Sequence, residues 1–154
     1  MEYLGRAGLV DTVKAAARSG RPFLGICVGM QILFDASEES PGTPGLGILS
    51  GRVVRFPRDP DRKVPHMGWN TLRVRGASPY LAGIESGAYV YFVHSYHAMP
   101  ADAGIVATTT PYGVDFVSSV GTGNVFAGVF HPEKSQAVGL RLMANFVDLV
   151  RAQG

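Results

Sequence analysis

The most informative segment of this chain is Pro22-Phe23-Leu24-Gly25-Ile26-Cys27-Val28-Gly29. Its first part, Pro22 to Ile26, is a short apolar run of the kind that forms a buried strand. The chain then passes through Cys27 into a predicted helical stretch from Met30 to about Asp35. The pattern therefore predicts a strand, a sharp turn and a helix, with the single cysteine of the chain at the turn.

Gly25-Ile26-Cys27-Val28-Gly29 has the form Gly-x-Cys-x-Gly, with which hydrolases present a nucleophile on a strained strand-to-helix turn. Backbone must pass close beneath the reactive atom, where a Cβ would collide, and the two glycines permit this. Free N–H groups of the following helix would lower the thiol pKa from about 8.5 toward neutrality. A buried, unreactive cysteine beside two packing glycines explains the same residues about equally well.

A second pattern, Phe130-His131-Pro132-Glu133, lies between a predicted strand, Val125 to Phe130, and a final predicted helix, Ser135 to Arg151. This puts His131 and Glu133 at the carboxyl edge of the sheet, where Cys27 also lies. A thiol nucleophile needs an imidazole that takes and returns its proton, and a group that orients the ring. A Cys27, His131 and Glu133 triad is therefore predicted, with an ordinary helix start as the alternative.

The remaining segments predict one three-layer α/β domain with a mixed sheet over residues 1–154. An amphipathic helix ends near Ser19, and Ala36 to Ser50 reads as a surface loop. Strands crowd together in the second half, so some of their pairing must be antiparallel. The further strand candidates are Gly51 to Phe56, Thr71 to Arg75, Ala88 to His94, Ile105 to Thr110 and Phe116 to Val120.

Composition excludes several classes of function. The 154 residues carry a formal net charge of +2, and the densest basic segment, Arg52 to Lys63, is interrupted by Asp59 and Asp61, which argues against a nucleic-acid partner. One cysteine and no apolar signal or spanning segment predict a cytoplasmic protein without a membrane partner. The histidines are scattered, so neither a metal site nor a cofactor is predicted.

Gly25-Ile26-Cys27-Val28-Gly29-Met30-Gln31 resembles the Gly-Ile-Cys-Leu-Gly-Met-Gln block of class I (triad-type) glutamine amidotransferases. His131-Pro132-Glu133-Lys134-Ser135 resembles the second block of that family. The resemblance implies a flavodoxin-like fold and hydrolysis of L-glutamine to glutamate and ammonia by the triad. It also implies that Gln31, near Val28 and Gly29, helps to position the bound glutamine.

Two further segments, Pro65-His66-Met67-Gly68-Trp69-Asn70 and Tyr91-Phe92-Val93-His94-Ser95-Tyr96, resemble the amidotransferase subunits of imidazole glycerol phosphate synthases of histidine biosynthesis. The first would then be a turn that, with Lys134, faces a (β/α)8-barrel cyclase in a heterodimer. His94, Ser95 and Tyr96 would line the glutamine pocket through their backbone. The cyclase would use the ammonia to make imidazole glycerol phosphate and an aminoimidazole carboxamide ribotide.

The start of the chain departs from this family, whose members normally carry further strands and a Pro-Gly-x-Gly turn ahead of the first helix. We expect an N-terminally truncated form of the fold, with Met1 a misplaced start or the chain a truncated copy. That turn would supply one oxyanion donor and the amide of Val28 the other, so weak activity and aggregation are expected of the chain alone. Another triad amidotransferase, a stand-alone thiol amidase and a non-catalytic binding protein remain as alternatives.

Overall fold

The structure is a computed structural model that describes residues 1–153, in which four α-helices and ten strands are formed. The helices are α1 (Glu2–Arg6), α2 (Val10–Arg18), α3 (Val28–Gln31) and α4 (Gln136–Ala152). The strands are β1 (Phe23–Ile26), β2 (Ala36–Ser37), β3 (Gly51–Arg55), β4 (His66–Thr71), β5 (Arg73–Val74), β6 (Tyr89–His94), β7 (Tyr96–Pro100), β8 (Val106–Tyr112), β9 (Val114–Thr122) and β10 (Val125–Gly128). Short 3-10 helices cover Pro79–Leu81, Ala103–Ile105 and Pro132–Lys134.

Eight strands form one mixed sheet, as the sequence predicts. The order along it is β1-β10-β9-β7-β3-β2, with β8 paired to β9 and β5 paired to β8. β1 with β10 and β2 with β3 are parallel, and the other pairs are antiparallel. Large buried side chains fill the core, chiefly Phe34, Phe92, Phe116, Phe126 and Phe130. The predicted mixed α/β architecture is therefore confirmed.

The parallel pair of β1 and β10 brings the two candidate catalytic segments to one sheet edge. Ile26 at the end of β1 lies opposite Gly128 at the end of β10. The pairing continues one residue further, because the Cys27 N–H donates to the Gly128 carbonyl at 2.8 Å. His131 follows Gly128 by three residues, so it emerges beside Cys27 at the carboxyl edge.

β4 and β6 form a separate two-stranded antiparallel ribbon, in which Trp69 lies opposite Tyr91. Alternation along β4 gives the ribbon two unlike faces. Met67 and Trp69 are 63% and 44% exposed on one face, whereas His66 on the other face is only 3% exposed. The ribbon therefore presents an apolar, aromatic face to solvent and buries a mixed face, in which His66 and His94 lie beside Val90 and Phe92.

Most predicted elements are confirmed to within about two residues. α2, β1, β3, β6, β8, β9, β10 and α4 match the predicted helix ending near Ser19, the predicted strands from Pro22 to Ile26, Gly51 to Phe56, Ala88 to His94, Ile105 to Thr110, Phe116 to Val120 and Val125 to Phe130, and the final helix from Ser135 to Arg151. The predicted strand from Thr71 to Arg75 is divided, because Thr71 ends β4 and only Arg73–Val74 form β5. No helix among residues 1–153 is long and apolar enough to cross a membrane.

The helix predicted from Met30 to about Asp35 is wrong. α3 covers Val28–Gln31 only, because the following carbonyls are taken by the chain at residues 46–49. The Ile32 carbonyl accepts the N–H of Leu46 at 2.7 Å, and the Leu33 carbonyl accepts two N–H groups from the same segment. A carbonyl occupied in this way is not available to continue a helix.

The turn predicted for Pro65 to Asn70 is also wrong, because these residues belong mainly to strand β4. Gly68 and Asn70 are types that strands usually avoid, so the sequence alone favours a turn. Pairing with β6 and burial of His66 override that local preference. Strand β7 is not predicted from the sequence either, and its pairing with β3 and β9 extends it to Pro100.

Candidate active site

Cys27 lies on a strained turn between β1 and α3. Its φ of 52° and ψ of −111° are rare for a residue with a side chain, and such strain is concentrated at functional sites. A Cβ at Gly25 would approach the Gly29 carbonyl oxygen to 2.8 Å and the Ala127 Cβ to 2.9 Å. A Cβ at Gly29 would meet nothing within 4 Å. The predicted need for glycine therefore holds at Gly25 and not at Gly29.

His131 is oriented by Glu133. The His131 Nδ1 lies 2.6 Å from the Glu133 Oε1, so Nδ1 carries the proton that is donated to the carboxylate. The opposite nitrogen, Nε2, is buried and has no hydrogen-bond partner among the described residues. With Nδ1 protonated, this Nε2 holds a lone pair that is able to accept a proton.

The carboxylate of Glu133 responds to that contact. Although desolvation acts in the opposite direction, the hydrogen bond from His131 holds the pKa of Glu133 below its usual range. Glu133 is therefore ionised at neutral pH. An ionised carboxylate keeps the imidazole in the Nδ1-protonated tautomer and stabilises the imidazolium that forms when Nε2 takes a proton.

The backbone of His131 is held by three hydrogen bonds that involve Tyr91 and Ser135. The His131 N–H donates to the Tyr91 carbonyl at 2.9 Å, and the Ser135 hydroxyl donates to the His131 carbonyl at 2.6 Å. The same hydroxyl accepts the Tyr91 N–H at 3.0 Å, and Ser135 is only 1% exposed. We call this set the Tyr91–Ser135 clasp, and it ties His131 to strand β6.

Burial raises the pKa of the Cys27 thiol above its ordinary value. The Val28 N–H lowers the pKa, whereas the nearby carboxylates of Glu133 and Glu39 raise it. The predicted fall in pKa is therefore wrong: α3 is a single turn, and its effect does not outweigh desolvation. The thiol keeps its proton at neutral pH, so a base such as His131 must remove it during reaction.

A small cleft that carries several polar side chains, here called the polar cleft, lies next to the turn at Cys27. It has a volume of about 80 Å³ and is lined by Met1, Val28, Gln31, Ile32, Ala36, Ser37, Glu39, Ser40, Thr43 and Gly45. A larger open groove of about 500 Å³ lies between β3, β7 and β9, and neither cavity is lined by Cys27, His131 or Glu133. Val28, which directly follows Cys27, lines the small cleft, so its place beside Cys27, rather than its volume, makes it the candidate substrate site.

The segment around Tyr96 contacts the cleft through Gln31. The Gln31 Nε2 donates to the Tyr96 carbonyl at 3.3 Å. The Ser95 carbonyl is already used, because it accepts the Phe56 N–H at 3.1 Å. The side chain of His94 is 6% exposed and points away from solvent. Of the segment's backbone groups, the Tyr96 carbonyl is thus the one joined to a cleft residue.

The residues predicted to face a partner are divided between the two ribbon faces. Met67 and Trp69 are exposed, Trp69 packs edge-on against Tyr91, and Lys134 lies 5.8 Å above the Tyr91 ring. His66, Gly68 and Asn70 lie on the inward face, opposite β6 residues that are buried in the core. Pro65 precedes the ribbon and is exposed.

Sequence reasoning missed two residues of this site. Glu39 is a carboxylate in the cleft, but it stands in a Pro-, Gly- and Ser-rich segment that carries no recognisable pattern. Ser135 completes the Tyr91–Ser135 clasp, and its signal is its place four residues after His131 in the segment His131-Pro132-Glu133-Lys134-Ser135. No group of three or more His, Cys, Asp or Glu within residues 1–153 is arranged to hold a metal ion.

Comparison with known proteins identifies the class. Residues 3–149 match the glutamine amidotransferase class-I family. The imidazole glycerol phosphate synthase subunit HisH of Deinococcus radiodurans is 55% identical, over 95% of this chain and 68% of that protein. The subunit of the same name from Syntrophotalea carbinolica is 50% identical, over 97% of this chain and 75% of that protein. The chain therefore belongs to the class-I glutamine amidotransferase family.

Within that family, the resemblance to imidazole glycerol phosphate synthase subunits is confirmed by these relatives, of which the chain spans between two thirds and three quarters. Solved structures agree on the fold. A crystal structure of a glutamine amidotransferase aligns with a TM-score of 0.69 at 23% identity, over 97% of this chain and 72% of that chain. A glutamine amidotransferase from Thermotoga maritima aligns with a TM-score of 0.63 at 16% identity, over 99% of this chain and 58% of that chain.

Proposed function

We propose that the protein hydrolyses L-glutamine to glutamate and ammonia, with Cys27 as nucleophile, His131 as base and acid, and Glu133 as the orienting carboxylate. The observation that carries the proposal is the state of the His131 ring. Its Nδ1 is held by Glu133, while its Nε2 is buried without a partner at the sheet edge where Cys27 lies. A buried nitrogen without a partner destabilises the fold, so its presence calls for a functional explanation. Acceptance of the thiol proton is such an explanation.

The reaction proceeds through a thioester. The His131 Nε2 takes the thiol proton as the Cys27 Sγ attacks the side-chain carbonyl carbon of glutamine, and the carbonyl π electrons move to oxygen. The Val28 N–H, which follows the nucleophile, stabilises that oxyanion. Collapse of the intermediate breaks the C–N bond, and His131 protonates the departing ammonia. A water molecule, deprotonated by His131, then attacks the thioester and releases glutamate and the free thiol.

Glutamine recognition fits the small polar cleft. Free glutamine carries an α-ammonium group, which requires acceptors or a negative charge, and the cleft has the carboxylate of Glu39 and the amide of Gln31. The hydroxyls of Ser37, Ser40 and Thr43 supply further hydrogen-bonding groups. This assignment adds Glu39 to the substrate residues Gln31, Val28, Gly29 and Tyr96.

The acceptor of ammonia is proposed to be the cyclase subunit of imidazole glycerol phosphate synthase, bound as a heterodimer. The support is the exposed face of the β4–β6 ribbon, where Met67, Trp69 and Tyr89 are 63%, 44% and 59% exposed. Methionine and aromatic residues are enriched in interface cores. Lys134 is exposed beside this face, where it could pair with a partner carboxylate. The inward-facing His66 is not part of this contact.

Glutamate release measured with and without the cyclase tests the proposal. We expect hydrolysis that is weak for the protein alone and rises when the cyclase and its nucleotide ligand are added. Cys27→Ser should abolish turnover under both conditions, whereas Trp69→Ala should reduce only the stimulation. A rate that the cyclase does not change would instead identify a stand-alone amidase. If Cys27 is alkylated only after denaturation and no glutamate appears, the enzymatic proposal fails.

A further inference from the structure

Two buried histidines that the proposed mechanism does not use lie in contact between the β4–β6 ribbon and the main sheet. The His66 Nδ1 and the His94 Nε2 are 3.0 Å apart, and the residues are 3% and 6% exposed. The His66 ring stacks on the rings of Phe92 and Tyr112, with centroids 4.7 and 4.0 Å away. Buried polar rings inside an aromatic cluster carry a desolvation cost, so their hydrogen bonds matter.

The partners of these rings fix both tautomers. The Tyr96 carbonyl can only accept, so the His94 Nδ1 at 2.8 Å from it must carry a proton. In the neutral ring the His94 Nε2 is then an acceptor, so the His66 Nδ1 must donate to it. The His66 Nε2 is left as an acceptor, and the Asn70 amide nitrogen donates to it at 3.3 Å. All the donors therefore point the same way, from Asn70 toward Tyr96.

Both rings are neutral in the folded protein. Burial lowers the pKa of His66 to about 4. Burial, opposed by the hydrogen bond to the Tyr96 carbonyl, lowers the pKa of His94 to about 3. At neutral pH neither ring carries a second N–H. If the direction of the chain reversed, the His94 Nδ1 would lose its proton, and two acceptors, this nitrogen and the Tyr96 carbonyl, would face each other.

The two ends of this chain lie at functionally distinct places. Asn70 is on β4, the strand that carries the exposed Trp69, and its amide also donates to the Pro111 carbonyl at 2.8 Å. At the other end, the Tyr96 carbonyl accepts the Gln31 Nε2 at 3.3 Å, and Gln31 lines the polar cleft. The Gln31 Oε1 has no hydrogen-bond partner among the residues that the structure describes.

We propose that His66 and His94 are positioning residues for substrate binding. Their one-way hydrogen-bond chain from Asn70 holds the Tyr96 carbonyl, which fixes the Gln31 amide with its nitrogen inward and its Oε1 as the acceptor offered to the cleft. An amide that is not fixed rotates and presents a donor in place of an acceptor, which opposes the ammonium of glutamine. The inference rests on the proposed glutaminase function and adds two residues to it that contact neither substrate nor Cys27.

Two substitutions at one position separate the links of the chain. The amide of His94→Asn reaches the place of Nδ1 and keeps the donor to Tyr96. The amide of His94→Gln reaches the place of Nε2, keeps the contact with His66 and loses the donor to Tyr96. Loss of one neutral hydrogen bond corresponds to about three- to tenfold in affinity. We therefore expect His94→Gln to raise KM for L-glutamine about three- to tenfold, His94→Asn to raise it less, and kcat to stay within about twofold in both.

His97 provides a matched control. It is also a buried histidine in the same aromatic cluster, 8% exposed, but its Nδ1 lies 3.3 Å from the Ala98 carbonyl, outside the chain. His97→Asn should leave KM unchanged. Equal effects of the substitutions at His97 and His94, or a fall in kcat with KM unchanged, would mean that His94 has only a structural role and would overturn the proposal.

Nitrogen-15 NMR of the histidine side chains in the unsubstituted protein tests the chain without relying on activity. Both His66 and His94 should carry their proton on Nδ1, the less common neutral tautomer. An Nε2–H signal from either ring would refute the chain even if glutamine is hydrolysed normally. If both tautomers are as expected but the protein neither binds nor hydrolyses glutamine, the hydrogen-bond chain stands, and the proposed function, with the positioning role that rests on it, fails.

Discussion

Cys27 and His131 follow paired strands at one sheet edge, yet the protein holds them by different means. Cys27 is held by packing: its backbone is in a rare conformation, and Gly25 beneath it has no room for a single added carbon. His131 is held by polar contacts, namely the Tyr91–Ser135 clasp on its backbone and Glu133 on its ring. Cys27 should therefore be sensitive to added volume, and His131 to lost hydrogen bonds.

This difference between packing at Cys27 and hydrogen bonding at His131 suits the proposed hydrolysis of glutamine. The sulfur has to keep one position during acylation and deacylation, and packed backbone is stiff. The imidazole has to gain and lose a proton, and hydrogen bonds to its far side and backbone hold it without blocking Nε2. Tyr91 of the clasp lies on β6. The ribbon that carries the exposed aromatic face therefore also anchors His131. We call the surroundings of Cys27 the packed half of the site and those of His131 the hydrogen-bonded half. Each half can be disturbed separately.

The largest effect is expected when the base itself is removed. His131→Ala should lower kcat for glutamine hydrolysis about 10⁴-fold or more, since triad members act as a unit. The double variant with Cys27→Ser should be no worse than Cys27→Ser alone. Circular dichroism should show an unchanged fold, because the His131 ring is not part of the core. Additive losses would indicate that the two side chains do not act together.

Acid should destabilise the folded protein through the buried histidines His66 and His94. Unfolded histidine has a pKa of about 6.5, and the folded pKa values of His66 and His94 are depressed to about 4 and about 3. The unfolded chain therefore binds more protons as the pH falls from about 6.5 toward these values, and the free energy of unfolding drops. We expect about 2 kcal/mol lost per histidine at pH 5, measured by urea titration. His94→Gln, which does not titrate there, should make the pH dependence shallower.

Added volume tests the packed half. Gly25→Ala should destabilise the protein by about 1–3 kcal/mol and lower glutaminase activity, because its Cβ would press on the Gly29 carbonyl at 2.8 Å. Gly29→Ala is the matched control in the same turn, and its Cβ meets nothing within 4 Å. Its stability should change by less than about 0.5 kcal/mol. Urea unfolding of both variants measures these changes. An equal loss of unfolding free energy in the two variants would contradict the packing argument.

A lost hydroxyl tests the hydrogen-bonded half. Ser135→Ala leaves the Tyr91 N–H without its acceptor and removes one of two donors to the His131 carbonyl, which keeps the Lys134 N–H at 3.0 Å. A loss of about 1–3 kcal/mol in stability is expected, with kcat reduced. Ser118→Ala removes an equally buried hydroxyl that bonds to Thr108 at 2.8 Å; only the Ser118 backbone, which the substitution keeps, bonds to the strand leading to His131, through the Val129 N–H at 3.0 Å. That control should lower stability but leave kcat unchanged. A similar kcat for the two variants would show that the clasp does not position the base.

The two halves also differ in how far the sequence predicts them. The elbow at Cys27 and the pair of His131 and Glu133 are local patterns, so spacing and residue type are sufficient to locate them. The clasp joins Tyr91 to Ser135 across 44 positions, and the chain from Asn70 to Tyr96 depends on strand pairing. Gly68 and Asn70 read locally as a turn, so β4 and the inward direction of His66 could only come from the fold.

The thiol pKa gives the smallest effect and the closest view of how the halves interact. Burial and the carboxylate of Glu133 both raise the pKa of Cys27, so its alkylation by iodoacetamide should reach half-maximal rate at a higher pH than that of free cysteine. Glu133→Gln removes one of these causes and should move the profile toward lower pH, but not back to that of free cysteine, because burial is the larger cause. The same substitution removes the carboxylate that orients His131 and should reduce turnover. Faster alkylation together with slower catalysis would mean that Glu133 serves the base at the expense of the thiolate. If alkylation and turnover fall together, Glu133 instead acts on Cys27 through the position of the ring.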